Sequence, residues 1–432
     1  MDLLTMFKGI SMLVIFLGFV ALMVSRKIPT ILALPLMAII FAVIAGVPFM
    51  SNDPEKITIF KSIVQQGSSR MADAMAGLIF GAWFAQVLNR LGITKGIVKK
   101  AAELGSGKPL VNAILFFIVT AVIFTGGSGL GMYILVGNIV IPIMISTGVS
   151  AFNAGLVLLL GGTMGSMMNV TGWVVMEQTL GVSIEVIRSN IWIPFLSFAV
   201  ICLILIVFSI QKDVGRRKTW SMSNDNSQTP KTKRVPMLSF ISPLIPVLLV
   251  FAFSMDIIPA IIISILVALI VVRPKRPMQV LSSGLIEGIQ DVASPIALFI
   301  GIGMLLSSVS TVEVSGVIAP ILNLAIPTTA VGYILFFVIL SPLAIYRGPL
   351  ALYGLGAGIG SLMIPGGMSP AMVFIGMQAI GVLQGISDPT QSYIVWIADF
   401  TRTDVIDYLK KTLFWCVAGV AISIIVGVII AL

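Results

Sequence analysis

Apolar residues in this chain gather into long uninterrupted runs separated by short polar connections, and the runs break in the same order twice. In the first half they cover 10–25, 28–50, 71–88, 110–124, 132–145, 154–168 and 191–210; in the second, 238–254, 257–272, 293–309, 331–345, 350–363, 372–383 and 412–432. Spanning hydrocarbon takes about 20 apolar residues per helix, and the alternation of a membrane β-barrel is absent. The pattern predicts a polytopic helical bundle.

Between the halves lies one long hydrophilic stretch, 211–236, rich in Arg, Lys, Ser, Asn and Pro, which reads as a linker. The expected organisation is an N-terminal membrane repeat over 1–210, a cytoplasmic linker over 211–236 and a C-terminal membrane repeat over 237–432. The segment Ile-Leu-Phe-Phe opens the run at Ile114 and again at Ile334, and shifting 71–88 by 220 positions lands on 291–308. Basic residues set the orientation. Arg26 and Lys27, the cluster Arg90, Lys95, Lys99 and Lys100, the seven basic residues of the linker, Arg273, Lys275 and Arg276, and Lys410 and Lys411 all belong on the cytoplasmic side. Threading them that way makes the halves opposite in direction. The expected fold is therefore an all-α polytopic membrane protein of two inverted-topology repeats, with about ten spans, two re-entrant hairpins and two broken helices.

Composition agrees: 58% of the 432 residues are hydrophobic and only 10% charged, with a mean hydropathy of +1.11. The formal charge of +9 is explained by the basic connections rather than by a nucleic-acid surface. Cys202 and Cys416 both sit inside apolar runs, and no histidine occurs, so imidazole metal sites and histidine relays are excluded. With no zinc spacing and no clear acid pair noted in the spans, catalysis is not expected.

The breaks carry the candidate chemistry. One hairpin ends on Thr125, Gly126, Gly127, Ser128 and Gly129, and its counterpart ends on Tyr346, Arg347, Gly348 and Pro349. One later span is interrupted at Asn169, Val170, Thr171 and Gly172, the other at Asp388, Pro389, Thr390 and Gln391. A broken helix in lipid leaves backbone groups unsatisfied, so breaks survive only beside protein or a polar cavity. Helix N-termini offer partial positive charge to an anion, and C-terminal carbonyls suit a cation. Arg347, costly at mid-membrane by about 2.5 to 3.5 kcal/mol on insertion scales, points to a ligand carboxylate or to structural pairing with Asp388. The expected substrate set is Arg347, Thr125, Gly126, Gly127, Ser128, Asn169, Thr171 and Gly348; the expected coupling-ion set is Asp388, Thr390 and Gln391. The glycines read as tight tips with positive φ or close ligand approach.

With these paired tips and breaks, the chain resembles the ion transporter superfamily of secondary carriers, and among them the gluconate and citrate permeases. The dicarboxylate carriers of that superfamily have Ser-Asn-Thr at both hairpin tips, which this chain lacks. The resemblance implies a symporter of a small organic anion such as gluconate or citrate, coupled to H⁺ or Na⁺, with no other cofactor. It also implies a homodimer in the lipid bilayer, and the expected location is the inner membrane of a prokaryote. A cation/H⁺ antiporter, with Arg347 as counter-ion to Asp388, and a membrane subunit of a multicomponent uptake system remain open alternatives.

Overall fold

The computed structural model describes residues 3–25, 27–53, 56–104, 108–214, 235–317, 327, 329–348, 350–352 and 355–431. Every regular element among them is helical, and the protein is an all-α polytopic membrane protein. Seven of its helical runs are long and apolar enough to cross a membrane, eight when one bent pair is taken as a single span. Shorter apolar helices, Thr30–Ala45, Met237–Phe253 and Ile257–Val272 among them, leave room for the ten crossings expected.

The first half comprises α1 (Leu3–Val24), α2 (Thr30–Ala45), a π-helical stretch (Ile59–Gln65), α3 (Gln66–Ser69), α4 (Ala72–Arg90) and α5 (Ile93–Leu104). It continues with α6 (Pro109–Thr125), α7 (Leu130–Ser146), α8 (Ala151–Met167), α9 (Val170–Leu180), α10 (Ile184–Asn190) and α11 (Trp192–Val214). The second half begins with a 3₁₀ turn (Met237–Leu244) leading into α12 (Ile245–Phe253), then α13 (Ile257–Val272) and α14 (Pro277–Val309). After α15 (Ala330–Leu340) and a 3₁₀ segment (Ser341–Arg347) come α16 (Leu355–Met363), α17 (Pro370–Ser387), α18 (Ser392–Thr401) and α19 (Val405–Ala431). Of the linker, 215–234 lies outside the described residues; α11 runs past 210 to Val214.

The element order recurs, and side-chain caps fix its register. Ser150 caps α8 by accepting from the Asn153 N–H, and Ser369 caps α17 by accepting from the Met372 N–H. The two serines lie 219 positions apart (369 − 150). Packing is reciprocal as well: α7 lies against α18, and its counterpart α16 lies against α9. A two-fold relation between the halves requires such an exchange.

Helix α14 is much longer than the apolar run 293–309 that announces it, because Glu287 and Asp291 interrupt the hydrophobic pattern without interrupting the helix. Both acids are met by α4: Arg90 pairs with Glu287, and Gln86 Nε2 donates to Asp291 Oδ2 at 2.7 Å. Trp83 Nε1 donates to the Leu281 carbonyl at 2.9 Å. Gly288 lets the two backbones touch there, since a Cβ on it would stand 2.8 Å from the Trp83 nitrogen. This seam joins the two halves along α14, the longest described helix. Small residues do the same work elsewhere, as Gly161 and Gly165 of α8 sit directly on carbonyls of α6.

Candidate functional site

Helix α8 ends at Met167, and α9 leaves at 63° to it. The turn between them is an Asx turn: the Asn169 Oδ1 accepts from the Thr171 N–H at 3.0 Å and from the Thr171 hydroxyl at 2.7 Å. The other half repeats this. Asp388 Oδ1 accepts from the Thr390 N–H at 2.9 Å and from its hydroxyl at 2.7 Å. The backbones match too, with Asn169 at φ −73°, ψ 114° and Asp388 at φ −79°, ψ 109°. Asn169 and Asp388 stand 219 positions apart (388 − 169), the spacing of the serine caps. One turn is thus built twice, once on an amide and once on a carboxylate.

The carbonyls released by each break are answered by an aromatic side chain. Trp173 Nε1 donates to the Met167 carbonyl at 3.0 Å, and the Tyr393 hydroxyl donates to the Gly385 carbonyl at 2.9 Å. Tyr393 also stacks on Tyr133 of α7 with centroids 4.4 Å apart, and Tyr133 in turn meets Phe124 at the end of α6 at 4.5 Å. This column ties the first hairpin to the second half's break. Helices α8 and α17 cross beside it, where a Cβ on Gly385 would meet Thr163 Cγ2 at 3.1 Å.

Asp388 is fully buried. Its second oxygen, Oδ2, accepts from the backbone N–H of Arg347 at 3.1 Å and from Gln384 Nε2 at 3.4 Å. All of these donors are neutral. The expected alternative of an Arg347 to Asp388 salt bridge is replaced by this main-chain bond, with no ion pair between the two side chains. The Arg347 side chain is exposed.

That main-chain bond holds an unusual backbone. The helix breaks at Ile345 (ψ 152°), and Tyr346 and Arg347 follow in the left-handed region at φ 58° and 54°. Each such residue stores roughly 1–3 kcal/mol of strain, which persists only where surroundings impose it. Of the two roles the sequence offers for Gly348, positive φ and close approach, the first falls to its neighbours, for it sits at φ −68°. It is needed for closeness, because a Cβ there would lie 1.9 Å from the Leu343 carbonyl. Pro349 lies outside the described residues.

At the first tip, Gly129 does take positive φ, at 91°. Gly126 packs on Leu88, Phe84 and Pro243, and Gly127 on Ala85 and Met132. The Thr125 hydroxyl donates to the carbonyls of Val122 (2.7 Å) and Pro243 (2.9 Å), which anchors the tip to the start of the second half. Ser128 is exposed. Thr171 and Thr390 spend their hydroxyl protons on their own Asx turns, and Gln391 opens α18 without a capping bond from its side chain. Arg347 and Asp388 are brought together through backbone; the described hydrogen bonds do not join them to Thr125, Ser128 or Asn169. Asp291, Gln86, Trp173 and Tyr393 escaped the sequence reading. The signal for Asp291 was its spacing of four from Glu287, a pair of acids on one helix face. A Cβ on Gly131, at the start of α7, would lie 3.5 Å from the Asp291 carboxylate oxygens, so this acid borders the first hairpin.

No protein-family model matches the chain, and no curated protein matches it. Among solved structures it is similar to the YdaH transporter of Alcanivorax borkumensis, whose crystal structure is described as revealing an unusual topology. The likeness covers 92% of this chain and 97% of that one, with a TM-score of 0.61 and 13% identity. It is a likeness of fold.

Proposed function

We propose that this chain is a secondary active transporter that moves a small organic anion, a carboxylate of the gluconate or citrate kind, together with H⁺ or Na⁺ by alternating access. The observation that carries the reading is Asp388, a buried carboxylate surrounded by neutral donors at one of two matching helix breaks. A charge buried without a countercharge is unfavourable by several kcal/mol. A proton or a sodium ion would supply what is missing.

In this reading Arg347 offers its exposed guanidinium to the substrate carboxylate, as a planar fork of donors suited to two oxygens. Coupling follows from the shared bond. Neutralising Asp388 weakens its hold on the Arg347 N–H, and the strained tip that presents the guanidinium changes shape. Cation binding and anion binding are thereby linked through one hydrogen bond. Asn169 keeps the same turn in the other half without a charge, so one coupling site per chain is expected. Ser128 and Gly129 place the N-terminus of α7 at the first tip, where it can face the anion. Thr125 serves the site by anchoring that tip.

Two repeats of opposite direction, with the 211–236 linker on the cytoplasmic side of a prokaryotic inner membrane, complete the proposal. The similarity in fold to a transporter supports it. The antiporter alternative in which Arg347 is the counter-ion of Asp388 is disfavoured by the backbone bond. The test is uptake into proteoliposomes under imposed pH and Na⁺ gradients, screened with gluconate, citrate and related anions. Accumulation that follows one gradient and collapses with an ionophore supports the reading, and a flat response to every anion and gradient refutes it.

A further inference from the structure

Beside the C-terminal end of α14 lies an open cavity of about 350 Å³, away from both hairpin tips in sequence and lined by Lys56, Lys61, Arg70, Gln66, Ser310 and Thr311 among others. The geometry points to a second binding site here, for a small oxyanion such as a phosphate or carboxylate group. Among the described residues that line the cavity are three cations and no acidic side chain.

The site is built by packing. Gly67 and Gly303 bring the α3 backbone onto α14, where a Cβ on Gly303 would stand 2.3 Å from the Gly67 carbonyl. That contact sets Arg70 beside the end of α14, and its Nη1 donates to Ser310 Oγ at 3.3 Å. Ser310 Oγ donates in turn to the Leu306 carbonyl at 2.6 Å, and Thr311 Oγ1 to the Ser308 carbonyl at 2.8 Å. The Leu306 and Ser308 carbonyls at this end of α14 are thus satisfied from within, which quiets part of the negative end of the helix toward the cavity. The donors offered to an incoming group are the remaining N–H groups of Arg70, the Gln66 amide and the Lys56 ammonium, with Lys61 adding positive charge to the lining. Lys61 arrives on the π-helical stretch, a geometry that concentrates at functional sites.

Placement adds a second argument. Arg273, Lys275 and Arg276 stand at the other end of α14, about 50 Å away along its 33 residues. Positive charge favours the cytoplasmic side, and these three cations lie on the opposite face from that basic cluster. Retention of the insertion signal does not explain them, whereas attraction of an anion does.

The experiment is equilibrium dialysis of the purified full chain in phosphatidylcholine nanodiscs against radiolabelled inorganic phosphate, repeated with citrate. Saturable binding is expected that persists in Arg347→Ala and weakens at least tenfold in the Lys56→Gln/Arg70→Gln double variant. Should the double variant not fold, Lys56→Gln alone, in an exposed loop, is expected to weaken binding about threefold and to steepen no other property. Absence of saturable binding overturns the inference, as does binding unchanged in the charge variants. Binding lost in Arg347→Ala but kept in the double variant also overturns it, while leaving the transport reading intact. Replacing part of the lipid with phosphatidylglycerol separates the sources: competition assigns the site to a lipid headgroup, and unchanged phosphate binding assigns it to a soluble anion.

Discussion

The carboxylate of Asp388 accepts a hydrogen bond from the main-chain N–H of Arg347 at 3.1 Å, so the two residues are joined without engaging the guanidinium. Any residue except proline offers that N–H. The arginine side chain is therefore released from a structural duty and can be removed without stranding the acid.

The first expectation follows directly. Arg347→Ala should fold, elute as the parent does and melt within a few degrees of it, while losing affinity for the anion. Arg347→Lys retains the charge but not the planar fork, so its affinity should fall by a smaller factor. Thermal melting together with substrate protection against unfolding reads both effects. A collapse in stability of the alanine variant would reinstate the ion pair as the role of Arg347.

The aromatic caps should matter for stability and little for coupling. Trp173→Phe removes the donor to the Met167 carbonyl, and Tyr393→Phe removes the donor to the Gly385 carbonyl. Tyr393→Phe should lower stability by about 0.5–1.5 kcal/mol, the net worth of a hydrogen bond, and Trp173→Phe by more, because the smaller ring also leaves a cavity at a fully buried position. Denaturation in mild detergent checks this, and the two losses should add because the caps do not touch.

Glycine substitutions should separate backbone contacts from side-chain ones. A Cβ at Gly165 would come within 2.1 Å of the Ala121 carbonyl, which belongs to helix backbone and cannot turn aside. At Gly376 the nearest atoms, at 2.3 Å, are those of the Phe337 ring, which can rotate. Gly165→Ala should abolish folded yield, whereas Gly376→Ala should reduce it by a lesser factor. Equal yields would contradict the close packing of α6 on α8.

Much of this was legible in the apolar pattern, because membrane helices write their length into hydropathy and their breaks into Gly, Asn, Asp and Pro. The hairpin near Thr125 and the interruptions at Asn169 and Asp388 fall where those residues announce them. The start of α14 did not show, since Glu287 and Asp291 look like a boundary until Arg90 and Gln86 are placed opposite them. Charge compensation between helices distant in sequence leaves no local mark. The register was blurred for a similar reason. Apolar letters match by chance, whereas Tyr393 answers the Gly385 carbonyl as Trp173 answers the Met167 carbonyl, a correspondence between unlike residues. Only polar residues with directional bonds, Ser150 with Ser369 and Asn169 with Asp388, fix the spacing at 219 (369 − 150 and 388 − 169). The left-handed backbone at Tyr346 and Arg347 leaves no mark of its own in the sequence, because the adjacent Gly348 is the residue type that such a turn favours.

A coupling cation at Asp388, as proposed, is removed by Asp388→Asn with the turn kept, because the first half already builds this turn on an asparagine. The amide oxygen keeps the bonds from Thr390, while the amide nitrogen, a donor, replaces the acceptor for the Arg347 N–H. The bonds that Oδ2 accepts from the Arg347 N–H and from Gln384 Nε2 are both lost, each costing about 1.5–3 kcal/mol as a bond to a charged group, so the variant should fold with reduced stability. In proteoliposomes loaded with the anion, Asp388→Asn should still exchange internal for external substrate but should no longer accumulate it under a pH or Na⁺ gradient. Gradient-driven accumulation at the parent level in folded Asp388→Asn would contradict the account.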